Sequence, residues 1–145
     1  MVVVPDASVI LKWVLQPEDE PDVPRALRLL GDYRARRLEI RVPSLWRYEA
    51  GNILGLKYPE LAAEAMESLL AVGIAEEVLD REFCLAVLQF MREIKGVTFY
   101  DTSYHVLALR LGGTCITADR DYARKTRRKG HIVLLSEWVP PTQPG

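Results

Sequence analysis

Val2-Val3-Val4-Pro5-Asp6-Ala7-Ser8 decides how the chain is read. Three β-branched residues with no polar residue between them suit a strand buried on both faces, the mark of a parallel sheet covered by helices. Asp6 ends that strand, and Ala7-Ser8 opens a short helix with Ile10, Leu11 and Val14 on its apolar side. Thr114-Cys115-Ile116-Thr117 repeats the pattern, and again an acid, Asp119, stands just beyond the strand.

Working outward, the periodicity predicts a loop over 16–24 and a helix over 23–36 with Ala26, Leu27, Leu29, Leu30 and Tyr33 inward. A second strand, 39–42, stops at Pro43, and Ser44 reads as the N-cap of a helix to residue 58. An amphipathic helix over 60–72 ends at Gly73, with a strand over 74–79 after it. A helix over 80–95 presents Phe83, Val87, Phe90, Met91 and Ile94 at helical spacing. The next helix, 100–111, hands over through Gly112-Gly113 to the 114–117 strand, and a basic helix to residue 129 precedes a last strand at 132–135. Strands alternating with helices predict an α/β chain, a central, mainly parallel sheet with helices on both faces, forming one domain over 1–139 and a disordered tail over 140–145.

Composition excludes several classes. The 145 residues are 49% apolar and 27% charged, with a formal net charge of −1, enough chain to close a core without disulfides or structural zinc. Near-neutrality argues against bulk electrostatic coating of nucleic acid or membrane, so a polyanion would need a local patch. No apolar run approaches the roughly 18 residues of a membrane span, and the first residues carry no secretory pattern, so a cytoplasmic location is expected. Cys84 and Cys115 read as buried small hydrophobes, and His105 and His131 lack metal-ligand spacing. Carboxylates remain to do chemistry.

In open α/β sheets ligands sit beyond the carboxyl ends of the strands, where the strand order reverses. Asp6 and Asp119 belong at that edge, and Asp101 opens the helix that precedes the 114–117 strand; each also reads as an N-cap. Glu49 lies inside a helix, where no capping role exists, and its alternative is an exposed or salt-bridged glutamate. Four unpaired carboxylates brought together would either take up protons or bind a hard divalent cation. Oxygen-only donors favour Mg²⁺ or Mn²⁺, which serve phosphoryl chemistry.

Four blocks together resemble the PIN domain, in its VapC-like toxin branch: Val4-Pro5-Asp6-Ala7-Ser8, the run from Pro43 through Glu49 to Asn52, Tyr100-Asp101-Thr102-Ser103-Tyr104, and Thr117-Ala118-Asp119-Arg120-Asp121-Tyr122. The resemblance covers nearly the whole chain in length, order and spacing. It implies a three-layer α/β/α sandwich and a Mg²⁺- or Mn²⁺-dependent endoribonuclease, the toxin of a type II toxin-antitoxin pair. Asp6, Glu49, Asp101 and Asp119 match the family's acidic quartet, with Thr117, Asn52 and Ser8 in supporting positions. It further implies RNA as substrate, an antitoxin that inserts a segment over the acids, and a homodimer, for which exposed apolar positions over 46–72 are the natural interface. Asp121 offers a second acid beside Asp119; Asp119 is preferred because it directly follows the strand. Pro5 departs from the pattern by removing a backbone donor where the first strand ends.

Arg120, Arg124, Lys125, Arg127, Arg128 and Lys129 face one acid, Asp121, giving a local charge of +5. That run reads as an RNA-phosphate patch or as a solvated helix face. Arg25, Arg28, Arg34, Arg36 and Arg37 form a second cluster. Trp13 and Trp46 read as core or interface in preference to base stacking. A receiver-type signalling domain lacks its acid and lysine trio here, and a dehalogenase-type phosphatase lacks its second acid after the first strand. A PIN-like module that binds RNA or protein without turnover stays as the alternative.

Overall fold

Both faces of the central strands are covered: successive residues Val3 and Val4, and Cys115 and Ile116, are all buried although they point to opposite sides of the sheet. The computed structural model describes residues 1–15 and 22–142. Its strands are β1 (Val2–Pro5), β2 (Glu39–Pro43), β3 (Ala75–Glu77), β4 (Thr114–Thr117) and β5 (Ile132–Leu134). The order across the sheet is β3-β2-β1-β4-β5, with every neighbouring pair parallel. The helices are α1 (Ala7–Ile10), α2 (Val23–Arg34), α3 (Trp46–Lys57), α4 (Ala62–Val72), α5 (Arg81–Glu93), α6 (Phe99–Leu111) and α7 (Arg120–Thr126). This is the predicted three-layer sandwich, and no helix among the described residues is long and apolar enough to cross a membrane.

The strand order reverses between β1 and β4. Successive connections from β1 build outward through β2 and β3, whereas β4 and β5 lie on the other side. The β1–β2 ladder ends at Val3↔Ile40, while the β1–β4 ladder continues to Pro5↔Ile116 and is extended by the Asp6 amide donating to the Ile116 carbonyl at 3.0 Å. Pro5 thus lacks a donor only where β1 has already left β2, which is how a proline is tolerated in a central strand.

Several elements differ from the sequence reading. Ser44 does not cap α3: its amide continues the strand ladder by donating to the Glu77 carbonyl at 2.9 Å, and α3 starts after Leu45 without a side-chain cap. Thr98, not Asp101, caps α6, its hydroxyl accepting from the Asp101 amide at 3.1 Å. Leu27 is 39% exposed, because α2 buries Val23, Ala26, Leu29, Leu30 and also Asp32. Fully buried Asp32 accepts from Arg28 Nε at 3.1 Å and Arg37 Nε at 2.7 Å, so two arginines of the second cluster serve the fold. β3 is shorter than predicted, and Leu135 starts a 3-10 turn. The predicted loop over 16–24 lies outside the described residues through residue 21, as does the end of the predicted tail, 143–145.

Gly112 adopts φ 66° to end α6, and Gly113 then runs against β1, where a Cβ would stand 2.4 Å from the Val2 carbonyl oxygen. Backbone cannot yield as a flexible side chain does. Gly113→Ala is expected to cost about 1–3 kcal/mol in urea unfolding, as overpacking does. Gly31→Ala, in α2 with open space around it, should instead stabilise by about 0.4–1 kcal/mol. Equal midpoints for the two variants would contradict the close approach.

Candidate active site

Asp6 is held at the reversal by a small network of hydroxyls. Its Oδ1 accepts from Ser8 Oγ at 2.5 Å and from the Val9 amide at 3.3 Å, and the Thr117 hydroxyl bonds it as well. Ser8 Oγ accepts in turn from the Ala118 amide at 3.0 Å, so one side chain ties the ends of β1 and β4 together. Thr117 Oγ1 accepts from the Asp119 amide at 3.0 Å, which fixes the turn into α7. Burial pushes the Asp6 carboxyl up to about 6, against the lowering effect of the Ser8 and Thr117 bonds, and nearby Asp101 adds to the rise.

Glu49 projects from α3 and Asp101 from the first turn of α6. Glu49 Oε1 accepts from the hydroxyl of Tyr104 at 3.1 Å, and Tyr104 is completely buried. Partial burial lifts Glu49 to about 7; the Tyr104 bond opposes this, and Asp101 and Asp6 reinforce it. Asp101 is raised by burial first, offset by Thr98 and increased by Asp119. These mutual repulsions link Glu49, Asp6, Asp101 and Asp119 into one electrostatic set. Among the described residues no lysine or arginine forms an ion pair with any of the four.

The capping alternative divides the aspartates. Asp6 and Asp119 do cap, the latter accepting from the Tyr122 amide at 3.0 Å through Oδ1, and each carboxylate has a second oxygen. Asp101 does not cap, since Thr98 takes that role. A buried or half-buried carboxylate without a counter-cation is costly, as for Asp6, Glu49 and Asp101, and with exposed Asp119 they make an all-oxygen donor set. By donor chemistry they fit a hard divalent cation such as Mg²⁺ or Mn²⁺. Among the described residues no three acidic, histidine or cysteine side chains are already set around one metal position.

Other predicted positions fall outside this set. Asn52 is exposed on α3. Asp121 is turned to Arg124 and Lys125, and its pKa is lowered, chiefly by Lys125. Much of the basic run is also occupied: Lys125 donates to the Gly96 carbonyl, Arg128 to the Glu93 carbonyl, and Lys129 pairs with the Glu93 carboxylate. Arg120 and Arg127 make no such bond among the described residues and line a groove of about 270 Å³ between α7 and β5. Trp13 and Trp46 are buried, with indole nitrogens donating to the Ala26 carbonyl at 2.9 Å and Glu76 Oε1 at 2.6 Å, so they are core residues. Tyr104 escaped the sequence reading, although its position three residues after Asp101 puts both on one face of α6.

Comparison with known proteins bears on the family and the fold. The PIN domain family model matches residues 3–128. The chain is 31% identical over 137 residues to Ribonuclease VapC3 of Pyrobaculum aerophilum, covering 86% of this chain and 95% of that protein. The crystal structure of PAE2754 from Pyrobaculum aerophilum superimposes with a TM-score of 0.58 at 24% identity, covering 94% of this chain and 93% of that one, a likeness of fold.

The raised acids have a consequence for stability. Folded Asp6 and Glu49 keep protons to higher pH than they do unfolded, so the folded state binds more protons between about pH 4 and pH 7, and stability falls as pH rises through that window. Asp6 alone accounts for about 3 kcal/mol of that loss by pH 7.5. In urea unfolding of chelator-treated protein, Asp6→Asn is expected to be more stable than wild type at pH 7.5 and to lose that advantage at pH 4. A difference independent of pH would contradict the upward shift of Asp6 by burial.

Proposed function

The chain belongs to the PIN domain family, and on that premise we propose that it is a Mg²⁺- or Mn²⁺-dependent endoribonuclease. We place it as the cytoplasmic toxin of a type II toxin-antitoxin pair. The observation that carries the reading is the electrostatic linkage of Asp6, Glu49, Asp101 and Asp119, without an ion-paired basic partner among the described residues, at the point where the sheet reverses. The relative named a ribonuclease supports it.

Asp6, Asp101 and Asp119 are the residues that would hold the cation. When bound, a divalent ion offsets charge on a phosphate oxygen and acidifies a coordinated water. Ser8 and Thr117 keep the Asp6 carboxylate in one orientation through their hydroxyls. Glu49, steadied by Tyr104 and titrating near neutrality, is the group to accept the proton of the attacking water. Arg120, adjoining Asp119, and Arg127 are the cations of the basic run left to meet RNA phosphates.

The partners follow from the same reading: an antitoxin segment laid over the acids, and a second copy of the chain. The exposed residues Leu56, Leu61 and Leu70 are assigned to the copy–copy interface. Leu56→Ser/Leu61→Ser should sediment as a monomer at concentrations where wild type is a dimer; wild type remaining monomeric at high concentration would remove this interface.

RNA cleavage is the direct test. Wild type should cut an unstructured RNA with Mg²⁺ or Mn²⁺ and stop with chelator, and Asp6→Asn should lose at least about 10²-fold while staying folded. Arg120→Gln/Arg127→Gln should weaken binding and flatten its salt dependence by about 0.7 for each phosphate no longer neutralised. Full cleavage by folded Asp6→Asn, or none by wild type, would return the chain to the alternative of a PIN-like binding module.

A further inference from the structure

His105 lies at the middle of α6 and is completely buried, and none of the assignments above uses it. Its Nε2 stands 2.7 Å from the Gly130 carbonyl oxygen, which can only accept, so that nitrogen carries the hydrogen. Nδ1 is then bare and accepts from the Tyr122 hydroxyl at 3.0 Å, a tautomer assigned from this network of partners. Phe90 of α5 packs on the imidazole with ring centroids 5.0 Å apart, and Tyr122 meets it edge-on at 5.8 Å, which holds the ring in one orientation. Tyr122 belongs to the first turn of α7, and Gly130 closes the 3-10 turn that follows that helix. One imidazole therefore grips the α7 segment near both of its ends.

Both partners of the His105–Tyr122 bond stand behind members of the acidic set. His105 follows Asp101 by one helical turn, and the Tyr122 amide is the donor to Asp119 Oδ1 at 3.0 Å. Asp119 itself is exposed, and its anchors, the Thr117 hydroxyl and the Tyr122 amide, are local to the β4–α7 turn, so neither relates it to α6. We propose that His105 and Tyr122 are positioning residues for the cation site, their hydrogen bond setting the separation of Asp101 on α6 from Asp119 at the start of α7. The inference rests on the cation-dependent reading above and extends it to a buried pair behind the acids. Leucine and phenylalanine at these places would need no hydrogen bond, and what the polar pair adds is direction. Apolar contact holds α7 against α6 without fixing where it sits; a hydrogen bond to a ring of one orientation fixes that. Mg²⁺ is exacting about the placement of its oxygen donors, and groups that orient ligands from behind are typically worth about 10–100-fold in metal affinity. α6 then serves the site three times: Asp101 is a donor, Tyr104 holds Glu49, and His105 holds the helix that Asp119 caps.

The test is binding of Mn²⁺ alone, without RNA, followed by loss of the free ion's electron paramagnetic resonance signal. Circular dichroism melts set a temperature at which every protein compared is folded. Tyr122→Phe keeps the ring and removes the hydroxyl, and should bind Mn²⁺ about tenfold or more weakly than wild type. Thr126→Val removes another buried hydroxyl of α7, whose bond to the Tyr122 carbonyl at 2.8 Å stays within the helix, and should keep wild-type affinity. His105→Asn can place an oxygen where Nδ1 stands and His105→Leu cannot, so the asparagine variant should bind the more tightly of the two; where either fails to fold, Tyr122→Phe decides. Wild-type affinity in Tyr122→Phe overturns the proposal. So does an equal loss in Thr126→Val, which would make the effect one of helix stability, and so do equal affinities in the two His105 variants. Wild type that binds no Mn²⁺, or Asp6→Asn that binds it as tightly as wild type, overturns the cation site itself, a failure distinct from that of its positioning pair.

Discussion

The pairing of β1 with β4 is the constraint on which the site depends. These strands meet where the chain turns from building one half of the sheet to building the other, and their carboxyl ends are locked by the Asp6 amide on the Ile116 carbonyl and by Ser8 between Asp6 and the Ala118 amide. At the other end of the pair, Gly113 lets β4 begin against the Val2 backbone. If the register slipped by one residue, Asp6 would exchange its place at the edge for the opposite face of the sheet. The position of a carboxylate is therefore set by backbone hydrogen bonds and a glycine, both remote from any chemistry it performs.

Such a placement has a cost that the fold carries locally. Burial and mutual repulsion both disfavour the charged forms of Asp6, Glu49 and Asp101, and among the described residues no basic side chain pairs with them. What opposes the rise is a set of neutral donors: Ser8, Thr117 and the Val9 amide for Asp6, Tyr104 for Glu49, Thr98 for Asp101. Neutral donors orient a carboxylate without cancelling its charge. A salt bridge would have stabilised the metal-free protein more, and would have competed with a cation for the same oxygens. Strain kept in this form is characteristic of sites whose purpose is to bind.

Periodicity exposed most of the architecture, because continuous apolar strands and glycine-ended helices are local properties. The failures were of another kind. Ser44 looked like a cap because serine before a helix usually is one, but β2 needed its amide for the ladder to β3. Leu27 looked inward until Asp32, held by two arginines, rotated the buried face of α2 away from it. The acids could be picked out one by one from their places after strands, whereas Tyr104 could not: its bond to Glu49 joins α6 to α3 across 55 residues of sequence. Trp46, by contrast, was legible as core or interface; only its partner, Glu76 of β3 accepting the indole N–H, was not.

Charge is where position mattered more than total. A net charge of −1 conceals acids that repel one another at one edge and a basic run beside them. In the fold that run is less available than its count of six cations implies. Asp121 and the Glu93 region hold four of them, which makes α7 a strut against the end of α5. Only Arg120 and Arg127 are left without such bonds among the described residues. A surface with few uncommitted cations and a crowded acidic edge would hold a polyanion weakly until a divalent cation bound, so under the proposed function cation and RNA affinity would be thermodynamically coupled. That coupling, rather than a standing positive field, is the electrostatic basis on which this edge would discriminate between the idle and the loaded protein.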